Sequence, residues 1–438
     1  MSSHTLSVNA RRGAGVLLAA TALSTMSTDA RAAGFALLEQ TGSGAGYSYA
    51  GSAASADDAS VMYFNPAGLG LITEPQVAVA LHGIDLSTKF DDRGSVLPPA
   101  GLGALPGGAT RSDAGDVIPL PNAYVAWPIT EHLTFGFGIN APFGLVTEYD
   151  DPWVGRFQGI RSELVTINAN PAIAYRMNDY VSFGFGVNYQ YADAELTNAV
   201  LLGPGVEGRA ELDVDDSDWG WNAGVLFTLP SRMRIGLSYR SRVDYSLSGD
   251  TTVTTLAGDP VAAASGPTTV EITFPDSALV SFAQPVGERV ELRADVMWTN
   301  WSEVSRIAAL NPATGLPRDV LEFGFEDAWR IAFGIGYRAS ERWSFRAGTA
   351  WDESPVTDRT RTVRLPDANR WWLSLGARWQ PTERFTVDAG YVHLFVDDPD
   401  ILHVRGQLGA PESFTSVVRG TYDSAVDILS VQLSWSFR

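Results

Sequence analysis

The chain has 438 residues, of which 45% are hydrophobic, and no cysteine, so thiolate metal sites, cysteine nucleophiles and a disulfide framework are excluded. A formal net charge of −19 argues against a nucleic-acid partner, because phosphate binding needs a basic face.

In chain order the first element is a secretory leader. Arg11 and Arg12 form a positive start, Gly13 to Leu23 a short apolar run, and Ala30-Arg31-Ala32 a small-residue cleavage box. Residues 1–32 are therefore expected to be removed, with the mature chain starting at Ala33. The apolar run is shorter than the ~20 residues a helical span needs, and no later stretch reaches ~18.

Residues 33–75 carry no strand period and are dense in small residues, as in Gly42-Ser43-Gly44-Ala45-Gly46 and Gly51-Ser52-Ala53-Ala54-Ser55-Ala56. From about Gln76 to the end, strict alternation takes over. Ile331, Phe333, Ile335 and Tyr337 oppose Ala332, Gly334 and Gly336. Val181, Phe183, Phe185, Val187 and Tyr189 oppose Ser182, Gly184, Gly186 and Asn188. Period two means strand.

A soluble sandwich alternates too. Three features select a membrane barrel instead. The runs approach the ~9–11 residues of a tilted membrane strand. Aromatic residues gather near strand ends, among them Trp127, Trp219, Trp221, Tyr239, Trp298, Trp301, Trp343, Trp351, Trp371 and Trp379, as lipid-interface girdles do. Connections alternate between short turns (129–132, 176–179, 229–232, 285–288, 339–342, 380–384) and long polar loops (91–116, 143–161, 198–217, 249–268, 305–320, 354–368, 397–417). Six turns and seven loops separate fourteen strands and leave both ends periplasmic. The expected fold is all-β: a 14-stranded antiparallel transmembrane barrel over 76–438. Its lumen is too wide for side chains alone to fill. Residues 33–75 are read as a mostly helical plug inside it, although a periplasmic tail has the same composition.

Gly136, Gly138 and Pro142 weaken the third strand, since proline cannot donate to a ladder and glycine adds no packing. The histidines His4, His82, His132, His393 and His403 have neither triad nor metal-pair spacing, and there is no P-loop. No catalytic residue, metal or cofactor is expected. Asp57-Asp58 and Asp397-Asp398-Pro399-Asp400 could attract Ca²⁺, with solvated turns the plainer reading.

An ordered set of short motifs resembles the FadL/TodX family of outer-membrane transporters for long-chain fatty acids and hydrocarbons. The set comprises Gly34-Phe35 with Leu38-Glu39-Gln40, Ala54-Ser55-Ala56-Asp57-Asp58-Ala59, Asn65-Pro66-Ala67, Pro121-Asn122-Ala123-Tyr124 and Pro142-Phe143-Gly144-Leu145. Trp219-Gly220-Trp221-Asn222, Asp327-Ala328-Trp329-Arg330 and Asp352-Glu353-Ser354-Pro355 continue it. The terminal Val431, Leu433, Trp435 and Phe437 resemble the outer-membrane assembly signal, with Arg438 as a departure.

The resemblance implies passive uptake across the Gram-negative outer membrane, without energy coupling. A hydrophobic ligand adsorbs among the outer loops, moves to an inner pocket beside the plug, and leaves sideways through a gap at the kinked third strand. It implies Phe35 as an apolar contact in the pocket, Asp352 as the holder of the plug's N-terminal backbone, Asn65, Pro66 and Ala67 beside the gap, and Pro142, Phe143 and Gly144 as the gap itself. Partners would be the ligand, outer-membrane lipid and lipopolysaccharide, with the protein a monomer. One departure bears on the ligand: Asn198 and Leu321 stand where the fatty-acid members carry an arginine and a lysine. Arg156, Arg330, Arg346, Arg359 or Arg361 could substitute; otherwise the ligand is a neutral aromatic or aliphatic hydrocarbon. A general porin and an outer-membrane hydrolase are the rival classes.

Overall fold

The computed structural model describes residues 34–98, 105–408 and 415–437, so the leader expected over 1–32 lies outside the described residues. From Gln76 onward the chain forms a closed antiparallel barrel of 14 strands. These are β1 Gln76–Asp92, β2 Val117–Pro128, β3 Leu133–Asn140, β4 Arg161–Arg176, β5 Val181–Gly203, β6 Val206–Thr228, β7 Arg234–Arg240, β8 Ser277–Val286, β9 Val290–Thr299, β10 Ala328–Arg338, β11 Trp343–Asp352, β12 Arg370–Thr382, β13 Phe385–Val396 and β14 Thr415–Ser436. Each strand pairs with its sequence neighbour. Closure comes from β14 on β1, in register from Gln76↔Ser436 to Asp92↔Gly420.

Closure is what lets strands cross lipid, because it pairs the backbone groups that water would otherwise have to satisfy. The side chains follow. Phe135, Phe137 and Ile139 on β3, Phe333, Ile335 and Tyr337 on β10, and Leu429, Val431, Leu433 and Trp435 on β14 all point outward and are exposed. A continuous apolar belt of this extent is foreign to a water-soluble surface and suits bilayer. Trp219, Trp329, Trp371 and Trp379 are exposed, as girdle residues should be, but Trp301 is 1% exposed and belongs to an internal cluster.

The six short turns fall where expected, but several long loops do not stay open. Residues 198–217 are the outer ends of β5 and β6, each 23 residues long, joined by a turn whose Gly205 has φ 68°. Val243–Thr255 pairs with Gly266–Phe274, Arg306–Leu310 with Pro317–Glu322, and Asp400–Gly406 with β14. Beyond the bilayer both faces of a hairpin meet water or other loops. The apolar alternation then vanishes while the backbone ladder persists.

Residues 34–75 fill the lumen. They are less helical than expected: one α-helical turn, Gly42–Ala45, and 3₁₀ turns at Ser52–Ala54, Ala59–Met62 and Pro66–Leu71. A run this rich in Gly and Ser propagates helix poorly, so wall side chains satisfy its backbone instead. Gln432 Oε1 accepts from Gly42 N (2.9 Å), Arg346 donates to Ser43 O (2.8 Å), Asn122 Nδ2 to Glu39 O (2.7 Å) and the Tyr124 hydroxyl to Gln40 O (2.9 Å). Small residues permit this closeness: a Cβ on Gly46 would lie 2.6 Å from Gly376 Cα of β12.

Candidate ligand path and wall opening

The wall is interrupted at β3. Its ladder with β2 stops at Ala123↔Ile139, although β2 runs on beside β1 as far as Asp85↔Val117. On the other side β3 pairs with β4 through Asn140↔Asn168, and pairing resumes only at Gly144↔Val165, along Gly144–Glu148. Between those points Ala141, Pro142 and Phe143 face only Thr166 and Ile167. One residue is in excess, so the strand buckles inward. Residues 117–122 of β2 are left without a partner on the β3 side. Pro119 and Pro121 occupy alternate positions there, so the donors they lack would point to the same neighbour, as proline at a strand edge permits.

The plug satisfies part of the break. Leu37 N donates to Pro142 O and Gly144 N to Phe35 O, both at 2.9 Å, so Ala36 bridges Phe143 as a one-residue strand. Phe143 N donates to Thr166 Oγ1 at 3.0 Å. Phe35 thereby enters an aromatic cluster, with ring centroids 5.9 Å from Phe143, 5.4 Å from Phe274 and 4.7 Å from Trp301.

Beside this break lies a cavity of about 600 Å³. Its lumenal lining is apolar, including Leu38, Leu86, Leu120, Leu145, Val426 and Ile428. It also touches Ile139 and Ile167, which are 47% and 53% exposed on the outer face. The cavity therefore reaches from the plug to the lipid-facing side of the wall. Its charged lining is mostly acidic: Glu39, Glu163 and Asp367, with Arg370 held between Asp352 (3.6 Å) and Asp367 (3.4 Å). Burial pushes the Glu39 carboxyl up to about 7.

A second cavity, about 240 Å³, lies among the outer hairpins, lined by Asn198, Leu201, Leu212, Val253, Arg364 and Arg405 among others. The two are adjacent in sequence at one loop: Arg364 lines the outer cavity, and Leu365, Pro366 and Asp367 line the inner one.

The expected site residues separate into two groups. Phe35, Phe143 and Gly144 line the inner cavity, Pro142 sits in the break, and Asn198 lines the outer cavity. The others lie elsewhere. Among the described residues Asp352 accepts from Trp372 Nε1 (3.0 Å), and the first described amide of the plug, Gly34 N, donates to Asp367 Oδ2 (3.0 Å) instead. Arg330 donates to Ser48 O and stacks on Trp372, so it anchors the plug. Leu321 pairs with Ile307 in its hairpin and lines neither cavity.

Asn65, Pro66 and Ala67 lie against β5 and β6 rather than beside Asn140–Gly144. Asn65 Nδ2 donates to Ala53 O (2.7 Å) and Val225 O (3.2 Å), and its Oδ1 caps Ala67 N (3.0 Å). Asn65→Ala is thus expected to loosen the plug by about 2 kcal/mol, through a lost cap and an orphaned carbonyl. Faster hydrogen exchange over 52–68 would register it, and unchanged protection would contradict it.

Of the substitute arginines, Arg156 pairs with Glu207 (2.7 Å), Arg346 with Asp388 (2.6 Å) and Arg361 with Asp358 (2.8 Å), while Arg359 is exposed. Asp57 pairs with Arg293 (2.8 Å) and Asp58 lies 3.6 Å from Arg378, so this pair meets arginine rather than Ca²⁺. Among the described residues no cluster of three or more His, Asp or Glu has metal-holding geometry. Sequence reading passed over Arg364. Its environment comes from strands far away in the chain, and local pattern carries no sign of it.

A closed lipid-facing barrel, a lumen packed by its own N-terminal segment and a cavity that meets the bilayer through the wall define a plugged outer-membrane transporter. Residues 23–437 match the family model described as outer membrane protein transport protein (OMPP1/FadL/TodX), and the chain belongs to that family. It is 31% identical to the long-chain fatty acid transport protein of Escherichia coli O157:H7, covering 85% of this chain and 91% of that one. The fold matches a Pseudomonas aeruginosa FadL homologue (TM-score 0.85, 21% identity, 93% of this chain and 100% of the other). It also matches the P. putida toluene transporter TodX (TM-score 0.70, 17% identity, 92% and 100%).

Proposed function

We propose that the chain carries long-chain fatty acids inward across the outer membrane by diffusion. The ligand enters the outer cavity, passes the loop at 364–367 into the inner one, and leaves sideways between β2 and the continuation of β3. The observation that supports this reading is the apolar cavity spanning plug and wall beside the unpaired edge of β2. A fatty acid gains roughly 0.8 kcal/mol for each buried CH₂, so a greasy path needs no other driving force than dilution on the far side. Phe35 acts as the apolar contact at the inner end, and rearrangement of residues 34–75 widens the path. The protein acts as a monomer, with its hairpins among lipopolysaccharide. A lumen packed from Gly42 to Leu71 disfavours an open porin, and no bond-making step is required, which leaves a hydrolase without support.

A second reading keeps its place because of Glu39 and Asp367. With Glu163 they outnumber the single guanidinium of Arg370 in the inner lining, which suits a neutral hydrocarbon better than an anion. Growth of a deletion strain, with and without the restored protein, on oleate and on an alkylbenzene separates the two. Restoration on oleate supports the first reading and restoration on alkylbenzene alone the second. No restoration on either would overturn both.

A further inference from the structure

We infer that Arg364 is the group in the outer cavity that binds the carboxylate of an acyl-chain ligand, an inference resting on the fatty-acid reading above. Arg364 is 3% exposed. Its contacts are all to neutral acceptors at 3.0 Å: Nη1 donates to Arg161 O and Ser162 Oγ, and Nη2 to Asn198 Oδ1. Its Nε has no partner. Among the described residues no carboxylate comes within 4.0 Å of it, whereas buried Arg156, Arg293, Arg346 and Arg361 each have one.

A guanidinium removed from water is costly unless an anion compensates it. The nearby acid does not: Asp319 is engaged by the guanidinium of Arg405, which also donates to Gln158 O at 2.9 Å. Burial, with Arg405 adding to it, pulls the Arg364 guanidinium below its ordinary value. Arg318, Arg364 and Arg405 line the cavity against the single carboxylate of Asp319. Arg318 is only half-buried and donates to Pro267 O and Ala264 O, so Arg364 is the buried cation there without an anion. Leu196, Leu201, Leu212 and Val253 supply apolar surface in the same cavity. An anionic head joined to a hydrocarbon chain fits both features at once. A neutral hydrocarbon would cover the apolar lining and leave the cation uncompensated.

The test compares equilibrium binding of radiolabelled oleate and oleyl alcohol to the purified full-length protein in detergent. Wild type should favour oleate by about tenfold or more, the span of a charge-assisted hydrogen bond. Arg364→Gln should erase that preference, and Arg364→Lys should retain part of it. The inference is overturned if Arg364→Gln keeps the wild-type ratio. If Arg364→Gln fails to fold, the wild-type ratio still decides: equal binding of acid and alcohol overturns the carboxylate site while leaving uptake of such chains in place. Binding of neither ligand by wild type would instead remove the fatty-acid reading itself.

Discussion

Deletion of Pro142 is expected to reduce oleate uptake to that of a strain lacking the protein, with the barrel still present in the outer membrane at wild-type abundance. Three residues on the β3 side face two on β4 between Asn140↔Asn168 and Gly144↔Val165. Removing one brings both stretches into a single register without reversing which side chains face lipid, because only the excess residue is lost. The continuation at 144–148 then runs straight, beside the unpaired residues of β2. Each ladder hydrogen bond so gained is worth about 1 kcal/mol in water and more where lipid offers no alternative partner. Pro119 and Pro121 cannot donate, but their carbonyls can accept. The bridge from Ala36 to Phe143 and the hydrogen bond from Leu37 N to Pro142 O are lost with the inward buckle. Uptake assays together with heat-modifiable gel mobility would check both halves of this expectation. Wild-type uptake by a correctly folded deletion variant would show that the ligand does not leave there.

Asp388→Ala is expected to destabilise the plugged barrel by about 3–5 kcal/mol, the range for breaking a buried charge pair from one side. Asp388 on β13 is fully buried and serves two arginines. Oδ1 accepts from Arg346 (2.6 Å) and from Arg378 Nε (2.8 Å), and Oδ2 from Arg378 Nη2 (2.8 Å). Arg346 in turn holds Ser43 O, and Arg378 lies 3.6 Å from Asp58, both in the plug. Removing the carboxylate leaves two cations facing each other and slackens two anchors of the plug together. The unfolding midpoint in detergent should fall, and ion conductance in planar bilayers should rise as the lumen admits water. A midpoint and conductance equal to wild type would show that the plug does not depend on this node.

The transmembrane part of the fold was legible in the sequence, because one face of every strand meets a single solvent, lipid. Rows such as Phe333, Ile335 and Tyr337 follow from that and are found exposed on the outer face. The outer hairpins were not legible. The upper halves of β5 and β6 have water or loops on both faces, so Asp213, Asp215 and Asp216 sit in a ladder without an apolar rhythm. The candidate site divides similarly. The break at Pro142 was readable, since proline and glycine act on local backbone. What enters it was not: the residues are Phe35 to Leu37, not Asn65 to Ala67, and the choice depends on contacts a hundred residues apart. The same holds for the acid that takes Gly34 N, which is Asp367 rather than Asp352. Arg364 is one of three closely spaced arginines with Arg359 and Arg361, and only assembled strands distinguish the unpaired one from the paired and the solvated.

The placement of Gln432 has a consequence for biogenesis. This residue lies on the final strand, the one that completes the wall by joining β1, and it also grips the amide of Gly42 near the start of the plug. A nascent polypeptide still missing its tail owns neither a finished cylinder nor the hook for its stopper. Sealing the circumference and corking the bore therefore share a requirement met only when nearly the whole chain has been delivered, so a stalled or truncated product is left with both an open edge and an unmoored stopper.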